Sequence, residues 1–145
     1  MSITRFDPNT VFLGGKREQI GDLAASEAIT PGHLVDRFNN AGVIRWRKHA
    51  TASIACAKAV ATEHAMANKG VDDAYAANDL VEVSILSPGA VAWMFIASGQ
   101  TIVAGDKLES AGDGTLKKFA AGVVLFSALE AKTATALTRL RVEAV

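Results

Sequence analysis

Leu80-Val81-Glu82-Val83-Ser84-Ile85-Leu86-Ser87-Pro88-Gly89-Ala90-Val91-Ala92-Trp93-Met94-Phe95-Ile96-Ala97 is the stretch that decides the fold class. Leu80, Glu82, Ser84 and Leu86 alternate with Val81, Val83 and Ile85, the period of a half-buried strand. Pro88-Gly89 then turns the chain. Val91 to Ala97 is apolar at every position, so this second strand is expected to be covered on both faces. Residues 84–104 carry no charge and approach the length of a membrane span. Ser87, Pro88, Gly89, Ser98, Gly99, Gln100 and Thr101 cut that run into strand-length pieces, and no membrane partner is expected.

The same grammar spreads outward from this pair. Ile29-Thr30-Pro31-Gly32-His33-Leu34-Val35 reads as strand end, turn and strand start. Asn39-Asn40-Ala41-Gly42 is a second turn, and Val43 to Lys48 a strand. Ile102-Val103-Ala104-Gly105-Asp106-Lys107-Leu108 repeats the first pattern loosely. Ala111-Gly112-Asp113-Gly114 then turns, and Thr115 to Phe119 returns as a strand, so two related strand-turn units are expected. Residues 123–129 are apolar. In the closing stretch, Leu140, Val142 and Ala144 alternate with Arg139, Arg141 and Glu143, a half-exposed terminal strand. Many short strands with Pro, Gly and Asn turns predict a mostly β chain, a small β-barrel or tulip-like sandwich.

Two regions resist this reading. Alanine occurs 27 times, and residues 50–67 are dense in it, which favours helix by propensity. Ala55, Ala57, Ala59 and Ala61 nevertheless fall on alternate positions. A strand over 53–62, followed by a loop or short helical turn to Gly70, competes with a helix there. Residues 1–22, with Pro8 and Gly14-Gly15, lack a sustained period and read as an extended N-terminal arm, leaving 23–145 as the β-rich domain. Val11-Phe12-Leu13 is an apolar knot in that arm. It docks either on a neighbouring subunit or back on its own domain.

The 145 residues suit one domain, able to bury roughly two-thirds of its unfolded surface. Fifteen basic and fifteen acidic side chains cancel, which argues against nucleic-acid binding through bulk charge. The charges are segregated, however. Residues 63–113 carry eight acidic and two basic side chains, while 1–58 and 114–145 are each net basic. A single cysteine, Cys56, excludes an internal disulfide and reads as an inert buried thiol. His33, His49 and His64 show no metal-site spacing; the first two flank turns and are expected at the surface. Asp72-Asp73 lacks the offsets of a calcium loop and reads as a solvated acidic loop. Gly112-Asp113-Gly114 joins two strands and opens no helix, so it offers phosphate no helix N-terminus. No nucleophile elbow, zinc-protease motif, Walker loop or dinucleotide fingerprint occurs, and no catalytic residue, metal or cofactor is expected. The N-terminus has no signal-peptide core. Arg45-Trp46-Arg47-Lys48 could stack on nucleic acid, but one such strand in a neutral chain reads better as a core or interface tryptophan with a basic face.

Several segments in order carry a resemblance: Ala-Ile-Thr-Pro-Gly-His-Leu-Val (28–35), Ala-Thr-Glu (61–63), Lys-Gly-Val-Asp-Asp-Ala-Tyr (69–75), Asn-Asp-Leu-Val-Glu-Val (78–83), Ser-Pro-Gly-Ala (87–90) and the run from Ala97 to Leu116. Together they resemble the capsid cement, or head decoration, proteins of tailed bacteriophages, over about two-thirds of the chain. The resemblance implies a structural virion protein with no reaction and no cofactor. It implies a homotrimer on the outer surface of the expanded capsid, synthesised in the host cytoplasm. Such trimers clamp neighbouring major capsid protein subunits at three-fold and quasi-three-fold positions. Within that role, arm composition selects Arg5, Phe6, Val11, Phe12, Leu13, Lys16 and Arg17 as capsid-facing, and aromatic placement selects Trp46, Trp93 and Phe95 for the core or the trimer interface. The alternative is a small-molecule or carbohydrate-binding β-domain, since the Gly-Asp-x-Leu turn also resembles clip-like domains that hold sialic acid or similar ligands. A concave site with converging polar groups would mark that alternative.

Overall fold

In the computed structural model, which describes residues 7–145, the chain forms thirteen short strands. They are β1 (Phe12–Gly14), β2 (Arg17–Ile20), β3 (Val35–Asn40), β4 (Val43–Lys48), β5 (Ala59–Ala61), β6 (Val83–Leu86), β7 (Val91–Ile96), β8 (Thr101–Ile102), β9 (Lys107–Ser110), β10 (Leu116–Lys118), β11 (Phe126–Ala128), β12 (Lys132–Thr133) and β13 (Thr138–Ala144). The one helical piece among the described residues is a 3-10 turn, Ala65–Ala67, closed by Asn68 in the left-handed conformation.

A closed five-stranded barrel is built on β7. Its neighbours run β7-β10-β9-β11-β13 and back to β7, and β1 adds a sixth strand on the free part of the β7 edge. Closure leaves the ring no unpaired edge. The β7–β13 register shows why this sequence closes. Leu140 lies opposite Met94 and Val142 opposite Ala92, and all four point into the barrel core with Ile96, Leu108, Leu116 and Phe126. Leu140, Val142 and Ala144 are buried as the alternation predicts, but the strand is not half-exposed: on its other face Arg139 is buried and Arg141 and Glu143 are half-buried.

A second, smaller core lies beside the barrel. Trp46 is 1% exposed at its centre, packed among Ala25, Ile29, Val35, Ala59, Ala61, Tyr75, Val81 and Val83. The three-stranded sheet β2-β6-β5 and the two-stranded ribbon β3–β4 frame it. β5 separates the two cores: Ala59 and Ala61 face Trp46, while Val60 faces the barrel with Leu34. Small side chains on one face of this strand let the indole layer approach closely.

β5 is shorter than the expected 53–62, and no α-helix replaces it. Residues 51–58 are irregular because they are strapped over the β9–β10 turn. Ser53 has φ 65, and its N–H donates to the Ser110 carbonyl. The β3–β4 turn fits its residues, since Ala41 (φ 53) and Gly42 (φ 90) both take the positive φ of a two-residue hairpin. The 29–48 and 102–119 units share the positive-φ glycines Gly32 and Gly105. Their hairpins nevertheless join different sheets, β3–β4 standing alone and β9–β10 entering the barrel. No helix among the described residues is long and apolar enough to cross a membrane.

Candidate docking surfaces

Arg5 and Phe6 lie outside the described residues. From Val11 onward the segment is stitched to its own domain. Val11 is fully buried in the barrel core, and its N–H donates to Glu63 Oε2 at 3.0 Å. Val11 is therefore a core residue, a correction to its expected place among capsid-facing side chains: its side chain has no surface left to offer. Phe12 pairs opposite Ala92 and is half-buried, as is Leu13. Lys16 and Arg17 are exposed. The Arg17 guanidinium lies 4.1 Å from the centre of the Phe12 ring and donates to Ser84 Oγ at 3.1 Å.

Trp46, Trp93 and Phe95 are all buried within this chain. Trp93 and Phe95 occupy the outer face of β7, opposite Arg141 and Arg139 on β13. Arg139, expected at the surface, is 8% exposed. Its guanidinium lies 4.9 Å from the Trp93 ring and 4.4 Å from the Phe95 ring. It donates to the Pro31 carbonyl from Nε and Nη2, to the Val71 carbonyl from Nη2, and to Asp72 Oδ1 at 2.9 Å. One side chain thus holds the 30–33 and 71–72 loops against the barrel wall. Gly32 is required there: its φ is +105, and a Cβ would sit 3.1 Å from Arg139 Nε and 3.3 Å from Phe95 Cδ2. Asp72, read as part of a solvated loop, is the exposed end of this latch.

The histidines at 33 and 49 are buried, contrary to expectation. His33 accepts the Thr30 N–H at Nδ1 and packs against Phe95 with ring centres 4.8 Å apart. Burial, with the Lys48 charge, pushes its pKa down to about 4. His49 Nδ1 and Ser110 Oγ are 2.6 Å apart, and burial lowers the His49 pKa. This serine–histidine pair is sealed from solvent, Ser110 at 0% and His49 at 2% exposure. The Ser110 hydroxyl also accepts the Gly112 N–H, so the pair ties the β9–β10 turn to the end of β4. Glu109, 1% exposed, accepts from Ser53 Oγ and the Gly122 N–H and lies 3.5 Å from Lys117 Nζ. Burial alone would raise its pKa; those donors and the ammonium outweigh it and hold the carboxyl below its ordinary value. Cys56 is half-buried in a loop, and burial pushes its thiol up to about 11. No cluster of three metal-ligating side chains occurs among the described residues.

Two surface features remain. The β3–β4 ribbon pairs with no other strand along its outer part, and its tip exposes Val43 (55%) and Ile44 (47%). Its cations are fixed in place. Arg47 stacks 4.6 Å from the Phe38 ring while paired with Asp36, Arg45 donates to Asn78 Oδ1 at 2.8 Å, and Arg37 lies 5.4 Å from the Trp46 ring. The second feature is a cleft of about 380 Å³ over residues 64–80, lined by His64, Lys69, Asp73, Tyr75, Asp79 and Leu80 among others. Tyr75 forms its floor, the phenol donating to the Thr62 carbonyl at 2.7 Å. A smaller hollow of about 170 Å³ adjoins it at His64, beside Arg17 and Glu82.

No protein-family model matches the sequence, and no curated protein matches it. Among solved structures, the chain is similar to the N base of head fiber gp8.5 of bacteriophage phi29, with a TM-score of 0.58 and 15% identity. The match covers 90% of this chain and 98% of that one. At that identity the likeness defines a common fold.

Proposed function

We propose that this chain is a structural virion protein of a tailed bacteriophage. It attaches to the outer surface of the expanded head as a homotrimer and braces neighbouring major capsid protein subunits at three-fold and quasi-three-fold positions. The observation that carries this reading is the fold held in common with the phi29 head fiber base over nearly the full length of both chains. The ordered string of motifs from Ala28 to Leu116 supports it from the sequence side. In this reading the protein has no reaction, cofactor or metal and contacts neither nucleic acid nor membrane. Its contacts with the shell use Phe12, Leu13, Lys16 and Arg17, the outward part of the N-terminal segment, together with Arg5 and Phe6.

The physical logic is mass action. An expanded shell fails by separation of neighbouring subunits, and a ligand that binds only the closed lattice stabilises that lattice in proportion to its binding free energy. Joining three copies raises the effective concentration of each contact once the first has formed.

The test uses expanded heads of the matching phage that lack this protein. The purified chain is added over a concentration series, the heads are sedimented, and the loaded particles are imaged by electron cryomicroscopy. Saturable co-sedimentation with density at three-fold positions is expected. Failure to sediment with matching heads refutes the reading.

A further inference from the structure

The β3–β4 ribbon tip and the 64–80 cleft are complementary, and neither is satisfied within one copy. The ribbon ends in two adjacent β-branched side chains held out in water, Val43 and Ile44, each about half exposed. A two-stranded ribbon gains little stability by itself, and an uncovered apolar edge is a standing site for association. Three residue pairs in from that tip, on the ribbon face that carries Ile44, Arg37 is exposed and has no carboxylate partner among the described residues. The cleft presents the reverse. Asp73 and Asp79 have no cationic partner among the described residues. Each is locked by a backbone N–H, Gly70 to Asp73 Oδ2 at 2.6 Å and Ala76 to Asp79 Oδ2 at 2.9 Å, which leaves the other carboxylate oxygen free. Leu80, 58% exposed, gives the rim an apolar surface, and Ala67 and Ala74 keep the walls low. Lys69 is the one opposing charge, against two carboxylates.

We propose that the ribbon tip of one copy seats in the cleft of a second copy, Val43 and Ile44 against Leu80 and the two alanines, with Arg37 facing Asp73 and Asp79. The proposal rests on the self-association in the reading above and names its surface. It also gives the charge segregation of the sequence a use, because the ribbon belongs to the basic 1–58 region and the cleft to the acidic 63–113 region. The ribbon root already touches the cleft margin of its own copy through Arg45 and Asn78, so the two surfaces lie side by side and every copy both gives and receives.

The full chain is measured by sedimentation equilibrium from about 10 μM to about 1 mM, a range that brackets modest interfaces. Wild type is expected to exceed the mass of one copy. The ribbon variant Val43→Ser/Ile44→Ser and the cleft variant Asp73→Asn/Asp79→Asn are each expected to weaken association by about tenfold or more. Asparagine retains the acceptor that each aspartate offers its turn. Mixed in equal amounts, the two variants are expected to form a one-to-one pair, because one keeps an intact cleft and the other an intact ribbon. All four positions are solvent-facing, so thermal melts are expected to match wild type; a double variant that melts lower is replaced by Ile44→Thr or Asp79→Asn alone. A wild-type chain of single-copy mass throughout overturns both this contact and the self-association. A multi-copy wild type whose mass neither variant changes overturns this contact alone and leaves self-association to another face.

Discussion

Replacing Arg139 with alanine tests whether the latch on the barrel wall is structural. The structure sets the size of the effect. Arg139 is 8% exposed, whereas the Asp72 side chain to which it is bonded is 89% exposed. Removing the arginine therefore strands no buried carboxylate, because Asp72 returns to water. What is lost lies on the other side. The Pro31 and Val71 carbonyls lose their guanidinium donors, at about 1 kcal/mol each and more where water cannot replace them. Two cation–π contacts, to Trp93 and Phe95, contribute about 0.5–1 kcal/mol apiece. The stem leaves a gap above both rings. Together these give an expected loss of about 3–5 kcal/mol for Arg139→Ala. At about 2.1 cal/mol/K of unfolding entropy per residue, that is a fall in Tm of roughly 10–16 °C for a chain of this length. Asp72→Ala removes only a solvent-screened pair and is expected to cost under about 1 kcal/mol, roughly 3 °C or less. Arg139→Lys falls between, since one ammonium cannot reach two loops and stack on two rings. Thermal melts followed by circular dichroism, backed by urea midpoints, measure all three. If Arg139→Ala and Asp72→Ala melt together within about 3 °C of wild type, Arg139 is an ordinary surface ion pair and the reasoning fails.

The other expectations concern protonation and the N-terminal segment. His33 has a folded pKa of about 4 against an ordinary 6.5, so the folded state favours the neutral ring. Its contribution is complete above pH 6.5 and is lost as pH falls from 6.5 towards 4, by about 3 kcal/mol in all. His33→Gln should flatten that part of the stability curve, and an unchanged slope would count against the assignment. Glu109 has the opposite charge type but the same direction: its folded pKa lies below the ordinary 4.5. Its stabilisation is present above that value and disappears as pH falls through the folded pKa, so Glu109→Gln should cost about 1.5–3 kcal/mol at pH 7 and progressively less as the solution is acidified below the ordinary carboxylate range. Deleting residues 2–9 spares Val11 and β1 and should leave the melt within a few degrees while weakening head binding; full occupancy of heads by the truncated chain would remove Arg5 and Phe6 from the contact. Val11→Asp, by contrast, places a carboxylate in the barrel core beside Glu63 and should prevent stable folding, as judged by loss of the cooperative transition.

The elements legible in the sequence are those whose pattern is local. β7 and β13 follow from apolar runs and alternation, and the β3–β4 turn follows from residues that accept positive φ. Misread features depend on partners far away in the chain. Val11 reads as a free apolar knot until Glu63, fifty-two positions on, takes its N–H. His33 and His49 flank turns, as exposed histidines do, but those turns are themselves covered, by Phe95 and Arg139 on one side and by Ser110 on the other. The alternating alanines of 55–61 suggest a longer strand than β5, because the local pattern cannot register that Ser53 is strapped down to Ser110.

Arg139 shows that some of this hidden information was within reach. Strict alternation in the last strand assigns Arg139 and Arg141 to the solvent face. The apolar run from Val91 to Ile96 separately requires that strand to be covered on both sides. If the two strands pair, these statements conflict, because adjacent strands present their outward side chains to one common surface. The observed register, Arg139 opposite Phe95 and Arg141 opposite Trp93, resolves the conflict in favour of cover. An arginine suits that position better than a lysine, since its planar head stacks on both rings and still spans the two loops that form the cover. The same reasoning separates the two aromatic–arginine groups of this chain. Around Trp93 and Phe95 the arginine is enclosed and its donors are used within the fold. On the β3–β4 ribbon the arginines stack on Trp46 and Phe38 from the solvent side, and Arg37 keeps its charge unspent. Residue type alone does not distinguish the two groups: Arg139 is enclosed with its donors used within the fold, whereas on the ribbon Arg45 and Arg47 are bonded to Asn78 and Asp36 and only Arg37 lacks a carboxylate partner among the described residues.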